Sequence, residues 1–148
     1  MRFDKIYDLV IEKLKIEIPT SISYHNYQHT INVLEHTVYL AEKEQIANSS
    51  LQLLKMAVLF HDTGFIFEPR SEGHEQRSRN FAQEILPKYG FSEEDIEVIG
   101  ELIMATKLPQ NPQNKLQEII CDADLYYLGT DNYTKNSDKL VAEFRAEG

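Results

Sequence analysis

The stretch "AVLFHDTGF", Ala57 to Phe65, places two adjacent polar residues directly after an apolar pattern. The residues that lead into it repeat at helical spacing, which predicts a helix with one face in a core. His61 and Asp62 follow this pattern, and Gly64 is typical of a helix C-terminus. The helix therefore either ends in water or brings both side chains to a shared site.

The composition limits the classes of function. The chain has 148 residues, of which 42% are hydrophobic, and this predicts a single domain over residues 1–148 with a substantial core. It carries 15 Lys and Arg against 24 Asp and Glu, a formal net charge of −9. With no basic run, the chain is not expected to bind a nucleic-acid duplex. A phosphate-containing substrate would need local positive charge from a metal ion or a few basic residues.

The ends of the chain and its cysteine content predict the compartment. Cys121 is the one cysteine, which suits a reducing environment. Charges are scattered through the first 20 residues, so we expect neither a signal peptide nor a membrane partner, and we expect a cytoplasmic protein. The final "KLVAEFRAEG" has the pattern of an amphipathic helix start, which suggests that a C-terminal helix is lacking; a frayed terminus is equally ordinary. The oligomeric state is not indicated.

The rest of the chain has a helical pattern, without strand alternation or internal repeats. Loops are predicted at "TGFIFEPRSEG" (63–73), where "GFIF" could be extended, and at "KLPQNPQN" (107–114). The fold class is therefore an all-α bundle of six or seven helices. The predicted helices cover 3–16, from a cap at Asn26 to about 45, from a cap at Ser49 or Ser50 to 61, about 72–86, from a cap at Ser92 to about 106, 115–128 ending at Gly129, and a short one from about 136.

Helical phase predicts which polar side chains point inward. His29 and His74 each share a stripe with apolar residues of their helices. On the helix over 115–128, Asp124 lies about 40° from Ile120 on the buried face, whereas Asp122 lies about 200° away. A lone inward histidine is more often a hydrogen-bonded core residue, and Asp124 could pair with an Arg or a helix N-terminus.

The four inward groups, His29, His61, Asp62 and Asp124, are all of the type that binds metals. Each would cost about a few kcal/mol if buried without compensation, and a divalent cation compensates all of them. The adjacent His61 and Asp62 can chelate an ion only near a helix end, where the helix dipole also favours a cation. A purely structural bundle leaves these groups unexplained.

Five segments carry a family resemblance: "YHNYQHT", "FHDTGF", "GHEQRS", "IMATK" and "CDADLYYLG". In order and rough spacing they resemble the HD-domain metal-dependent phosphohydrolases, and most closely the small predicted phosphohydrolases of that superfamily. The resemblance runs from about Tyr24 to Gly129. It implies an all-α bundle in which one metal ion is bound by the residues at His29, His61, Asp62 and Asp124.

The resemblance also implies a chemistry. Two imidazoles and two carboxylates suit one divalent ion of Mn, Fe, Co, Ni or Zn, with Mg as a further candidate. Asp62 would bind the ion and orient water, and either His74 or Glu75 would transfer protons. The expected activity is hydrolysis of a phosphoester of a small metabolite, with a nucleotide as the favoured substrate.

Three further residues are candidates for holding that substrate. Lys107 and Arg77 carry the positive charge that phosphate requires, although each is as readily a solvated charge at a helix end. His25 could line the mouth of the site or cap a turn.

Other functions are compatible with some of these features. A regulatory module of the same fold would bind a metal or nucleotide without turnover, although the intact set of four ligands favours catalysis. The histidine pair in "HNYQH" has zincin spacing, but Asn26 stands where a protease needs glutamate. Cys121 lies about 100° from the centre of the core face, which is typical of a packed or half-exposed thiol.

Overall fold

The computed structural model of the chain describes residues 2–19 and 26–126, and within them every regular element is helical. This confirms the all-α prediction. The elements are α1 (Arg2–Glu17), α2 (Tyr27–Lys43), α3 (Asn48–Phe60), α4 (Gly64–Phe67), α5 (His74–Ile85), a 3₁₀ turn (Leu86–Tyr89), α6 (Glu93–Ala105) and α7 (Lys115–Leu125).

Helix α3 lies at the centre of the bundle. It packs against α1, α2, α5, α6 and α7, and its second half is almost completely buried. Because neighbouring helices surround its C-terminal end, the residues that follow are also shielded from water. His61 is 1% exposed and Asp62 is 2% exposed. The apolar helix at Ala57 to Phe60 therefore delivers these two side chains into the protein interior rather than into solvent.

The predicted helix starts are right in two cases and wrong in one. The Asn26 side chain accepts hydrogen bonds from the first turn of α2, and Ser92 does the same for α6. Ser49 and Ser50 do not cap α3, which begins after Ala47 without a side-chain cap. The preceding turn bonds back onto α2 through the backbone N–H groups of Glu44, Gln45 and Ile46, and the helix begins at Asn48, before either serine.

The predicted loop over 63–73 is partly wrong, because "GFIF" forms α4 rather than an extended strand. Backbone N–H groups of Phe65 and Ile66 donate to the carbonyls of Asp62 and Thr63, which continues helical winding past the end of α3. Phe65 is fully buried, so tertiary packing stabilises a turn too short for periodicity to reveal. The remaining segment is a loop that ends at Gly73.

Two predicted features lie outside the described residues: the end of the last long helix at Gly129 and the short helix from about 136. Among the helices that are described, none has both the length and the apolar character that crossing a bilayer would require.

Gly64 marks a close approach between α4 and α5. A Cβ atom built on Gly64 would lie 2.2 Å from the carbonyl oxygen of His74, which is backbone and cannot swing away. A Cβ on the other buried helical glycine, Gly100, would meet the flexible side chain of Arg79, with the nearest atom at 2.6 Å.

We predict that Gly64→Ala lowers the free energy of unfolding by about 2 kcal/mol or more, because α4 and α5 must separate. Gly100→Ala is the matched control: Arg79 can move and alanine favours the helix, so the change should stay within about 1 kcal/mol. Urea denaturation of both variants measures the difference. Equal stability of the two variants would contradict the prediction.

Candidate metal centre

Three helices bring the four predicted ligands to one place. His29 is the third residue of α2, His61 caps the C-terminus of α3 with Asp62 directly after it, and Asp124 lies in the last turn of α7. The Asn26 cap accepts from the backbone N–H of His29 at 3.2 Å, which orders the turn that carries this histidine.

Asp124 lies between the two imidazoles. Its Oδ1 is 3.1 Å from His29 Nε2 and 3.2 Å from His61 Nε2, and the three ligand atoms lie within 4.8 Å of one another. The second carboxylate joins them, because Asp62 Oδ2 is 3.2 Å from His61 Nε2 and 3.5 Å from His29 Nε2. The residue two positions before Asp124, Asp122, is exposed to solvent.

The hydrogen bonding of His61 suits a metal ligand. Its Nδ1 lies 2.6 Å from the carbonyl oxygen of Val58 and donates to it. In the neutral ring this bond puts the proton on Nδ1, so Nε2 directs a lone pair toward Asp62 and Asp124. A backbone carbonyl that fixes the tautomer in this way is the usual support of a metal-binding histidine. Two such nitrogens and two carboxylates make a mixed donor set that fits a divalent transition metal.

The local electrostatics favour a cation. Burial alone would raise the pKa of Asp124, but hydrogen bonds from His29 and His61 hold it well below its usual range. Burial would lower the pKa of His61, yet the charges of Asp62 and Asp124 raise it well above its ordinary value. The C-terminal ends of α3 and α7 add partial negative charge. In the metal-free protein, protons on imidazole supply the positive charge that a metal ion would bring.

His74 extends the cluster on the other side of Asp62. Its Nε2 lies 3.2 Å from Asp62 Oδ1, and its Nδ1 donates to the carbonyl oxygen of Ser71 at 2.7 Å. Glu75 is 7% exposed, and its Oε2 lies 3.3 Å from His74 Nδ1. Burial would lower the pKa of His74, but Asp62 and Glu75 raise it overall. Of the two predicted proton-transfer residues, His74 therefore contacts the predicted ligand Asp62, and Glu75 contacts His74.

Two residues that sequence patterns did not assign to the site support it. Phe65 stacks on the ring of His74 at a centroid distance of 4.5 Å. The buried Ser78 hydroxyl donates to the carbonyl of His61 at 2.8 Å and accepts from the N–H of Gly64 at 2.8 Å. The sequence features that could have identified them are an aromatic residue directly after "HDTG" for Phe65 and a position on the same helical stripe as His74 for Ser78.

Lys107 and Arg77, two of the residues predicted to bind substrate, do not contact the predicted metal ligands in the described part of the chain. Lys107 is exposed in the loop after α6, where its ammonium makes no ion pair with any described residue. Arg77 donates to backbone carbonyls of the loop before α5. His25 lies outside the described residues. The roles of all three in substrate binding stay predictions.

Cys121 is packed rather than part of the cluster. Its thiol is 3% exposed and donates to the carbonyl oxygen of Ala105 at 3.2 Å. Burial and the charges of Asp124 and Asp122 raise its pKa to about 11, so it stays protonated at neutral pH.

The fold and the site together define a helical-bundle protein with a candidate divalent-metal centre of histidines and aspartates. Comparison with protein families supports this class, because residues 26–128 match the family described as HD domain. The chain belongs to the HD-domain family, as its resemblance implied.

Comparison with solved structures agrees on the fold. A crystal structure of a predicted HD superfamily hydrolase from an uncultured Thermotogales bacterium superposes with a TM-score of 0.66 at 22% sequence identity. The match covers 97% of this chain and 89% of that chain. The comparison with curated proteins found no match.

We predict that Asp124→Asn weakens binding of Mn²⁺ or Co²⁺ by about 100-fold or more, because one anionic ligand is lost. Asp122→Asn is the matched control, since it removes the same charge from an exposed position two residues away. Isothermal titration of the metal-stripped proteins measures both affinities. Equal losses in the two variants would show that Asp124 acts only through its charge at long range.

We also predict that the metal-free protein loses stability as the pH rises from the ordinary histidine pKa of 6.5 through the raised pKa values of the fold. His61 and His74 have raised pKa values in the fold, so their contribution is complete below the ordinary value of 6.5 and is lost as the pH passes the raised values. Asp124 has a lowered pKa, so its contribution is present above about pH 4 and is lost in acid. Urea midpoints in the presence of a chelator measure the trend.

His36→Gln is the control for this pH dependence. Burial lowers the pKa of His36, opposed by the charge of Asp122, so it does not contribute to the loss at high pH. The His36 variant should keep the downward trend, and His61→Gln should flatten it. A metal-free protein that becomes more stable between these pH values would contradict the assignment.

Proposed function

We propose that this protein is a metal-dependent phosphohydrolase that acts on a small phosphorylated metabolite, with a nucleotide as the favoured substrate. The observation that carries the proposal is the Asp62 carboxylate, which contacts the two imidazoles of the metal centre through Oδ2 and His74 through Oδ1. One side chain thus connects the candidate metal site to a group that can carry a proton.

A metal ion at this centre would supply the local positive charge that the acidic chain lacks. When bound, a divalent ion provides Lewis-acid chemistry: it stabilises negative charge on a phosphoryl oxygen and makes water more acidic. His29, His61, Asp62 and Asp124 are proposed to hold it. Mn, Fe, Co, Ni and Zn are all compatible with this donor set, and Mg is a further candidate.

His74 and Glu75 are proposed to move the proton. The hydrogen bond to Ser71 holds Nδ1 of His74, so Nε2 is the atom that faces Asp62. Glu75, which is nearly buried beside Nδ1, stabilises the protonated form of the ring. His74 can therefore hold a proton at Nε2 and release it to a leaving oxygen.

The net charge of −9 means that phosphate is not attracted by the protein as a whole. Lys107, without an ion-pair partner in the described part of the chain, is proposed to contact the substrate phosphate, and His25 to line the entrance. A single cysteine supports a cytoplasmic location, where nucleotides and other phosphorylated metabolites are abundant.

The test is hydrolysis of a panel of phosphomonoesters and phosphodiesters after metal removal and reloading with Mn²⁺, Co²⁺, Ni²⁺, Zn²⁺ or Mg²⁺. We predict turnover only with metal, and a loss of about 10³-fold or more in kcat/KM for Asp62→Asn. Asp122→Asn, the exposed control, should keep full activity. Tight nucleotide binding by the metal-loaded protein without hydrolysis of any ester would instead identify a regulatory module.

A further inference from the structure

The Arg77 guanidinium is surrounded by backbone carbonyl oxygens of the segment that leads into α5. Nε donates to Gly64 at 3.1 Å, Nη1 to Glu72 at 2.9 Å, and Nη2 to both Glu68 at 3.2 Å and Arg70. Four of the five N–H groups of the guanidinium are thus used within one segment. Such an arginine is a poor phosphate ligand, because its donors are already engaged.

Three successive carbonyl oxygens, of residues 70–72, bind Arg77 and His74 in alternation. Arg70 and Glu72 direct their carbonyl oxygens to Arg77, whereas Ser71, between them, directs its oxygen to His74. The Ser71 oxygen accepts from both the ring Nδ1 and the backbone N–H of His74, at 2.7 and 3.1 Å. Holding the two flanking peptides therefore fixes the direction of the Ser71 carbonyl.

We propose that Arg77 is a positioning residue: by fixing the backbone of residues 68–72 it keeps the Ser71 carbonyl on Nδ1 of His74 and so keeps Nε2 directed at Asp62. The bond to Gly64 anchors the other end of the segment, next to the His61–Asp62 turn. Phe65, one residue further, stacks on a face of the His74 ring. Arg77 thus acts through loop backbone rather than by touching substrate.

The planar guanidinium is needed for this role. Its donors point in several fixed directions within one plane, which lets one side chain bind carbonyls at both ends of the segment. A lysine ammonium carries the same charge but concentrates its donors at one point. If Arg77 bound phosphate through charge, lysine would largely replace it. If Arg77 orders the segment, Arg77→Lys should disturb it almost as much as Arg77→Gln does.

Arg79 offers a matched control on the same helix. Its side chain is 20% exposed, as is that of Arg77, but its Nη2 donates to the side chain of Glu97 at 2.7 Å. Arg79→Gln therefore removes an equally exposed arginine of α5 without releasing the loop. Any effect common to both variants is a general effect of lost charge or stability.

The first readout does not depend on activity. In metal-free protein with ¹⁵N-labelled histidine, the Nδ1–H proton of His74 should exchange slowly with water in the parent and in Arg79→Gln. In Arg77→Gln and Arg77→Lys it should exchange about tenfold faster or more, because the Ser71 carbonyl is released. Urea denaturation first establishes that each variant is folded. An unchanged exchange rate in folded Arg77→Gln would overturn the proposal.

A measurement on the parent protein keeps the proposal testable if both Arg77 variants fail to fold. The hydrogen-bonded guanidinium protons of Arg77 and the Nδ1–H of His74 should then show the same degree of protection from exchange, because one opening of the segment exposes them all. A His74 proton that exchanges while the Arg77 protons stay protected would contradict the coupling.

The kinetic readout rests on the proposed function. For an ester that the parent hydrolyses, Arg77→Gln and Arg77→Lys should lower kcat by about 10²-fold and leave KM within about twofold. A raised KM with an unchanged kcat, partly restored by lysine, would identify a phosphate ligand and overturn the proposal. If the parent hydrolyses no ester, the proposed function fails, while the exchange experiment still decides the role of Arg77.

Discussion

The contact of the Asp124 carboxylate with two imidazoles is the interaction on which the arrangement of the bundle depends. It joins residues 95 and 63 positions apart in the chain, and it connects the ends of α2, α3 and α7 at one point. Polar groups at this depth are stable only when each has an opposite charge or a hydrogen-bond partner. The helices therefore cannot shift relative to one another without leaving a buried charge uncompensated.

This constraint fits the position of α3, the central helix, which leads directly into His61 and Asp62. A helix that ends inside a bundle leaves its last carbonyls without water, and polar groups must satisfy them. Ring Nδ1 of His61 donates to the carbonyl of Val58, and the hydroxyl of Thr63 donates to that of Phe60 at 2.7 Å. His61 therefore satisfies the end of α3 with Nδ1 and presents Nε2 to Asp62 and Asp124.

The sequence predicts most of the helices and the direction of the buried polar groups, because both follow from helical periodicity. Two residues, about half a helical turn, are enough to put Asp124 and Asp122 on opposite faces, and His29 and His74 lie on apolar stripes. Features that depend on tertiary contacts are not predictable in this way. Helix α4 is one turn long, and the bonds of Arg77 end on carbonyl oxygens, whose positions depend on the loop path and not on residue type.

The segment from Gly64 to Gly73 shows how a site can be held by backbone. Its hydrogen bonds to α5 use main-chain groups of the loop, with His74, Arg77 and Ser78 as the partners on the helix, and the Glu68 carboxylate adds an ion pair to Arg77 at 3.7 Å. Main-chain hydrogen bonds restrict the side chains of the loop very little, except at Gly64, where a Cβ atom would meet the His74 carbonyl, and at Phe65, which is buried against the His74 ring. The loop could therefore change its side chains toward a different substrate while His74 keeps its place beside Asp62.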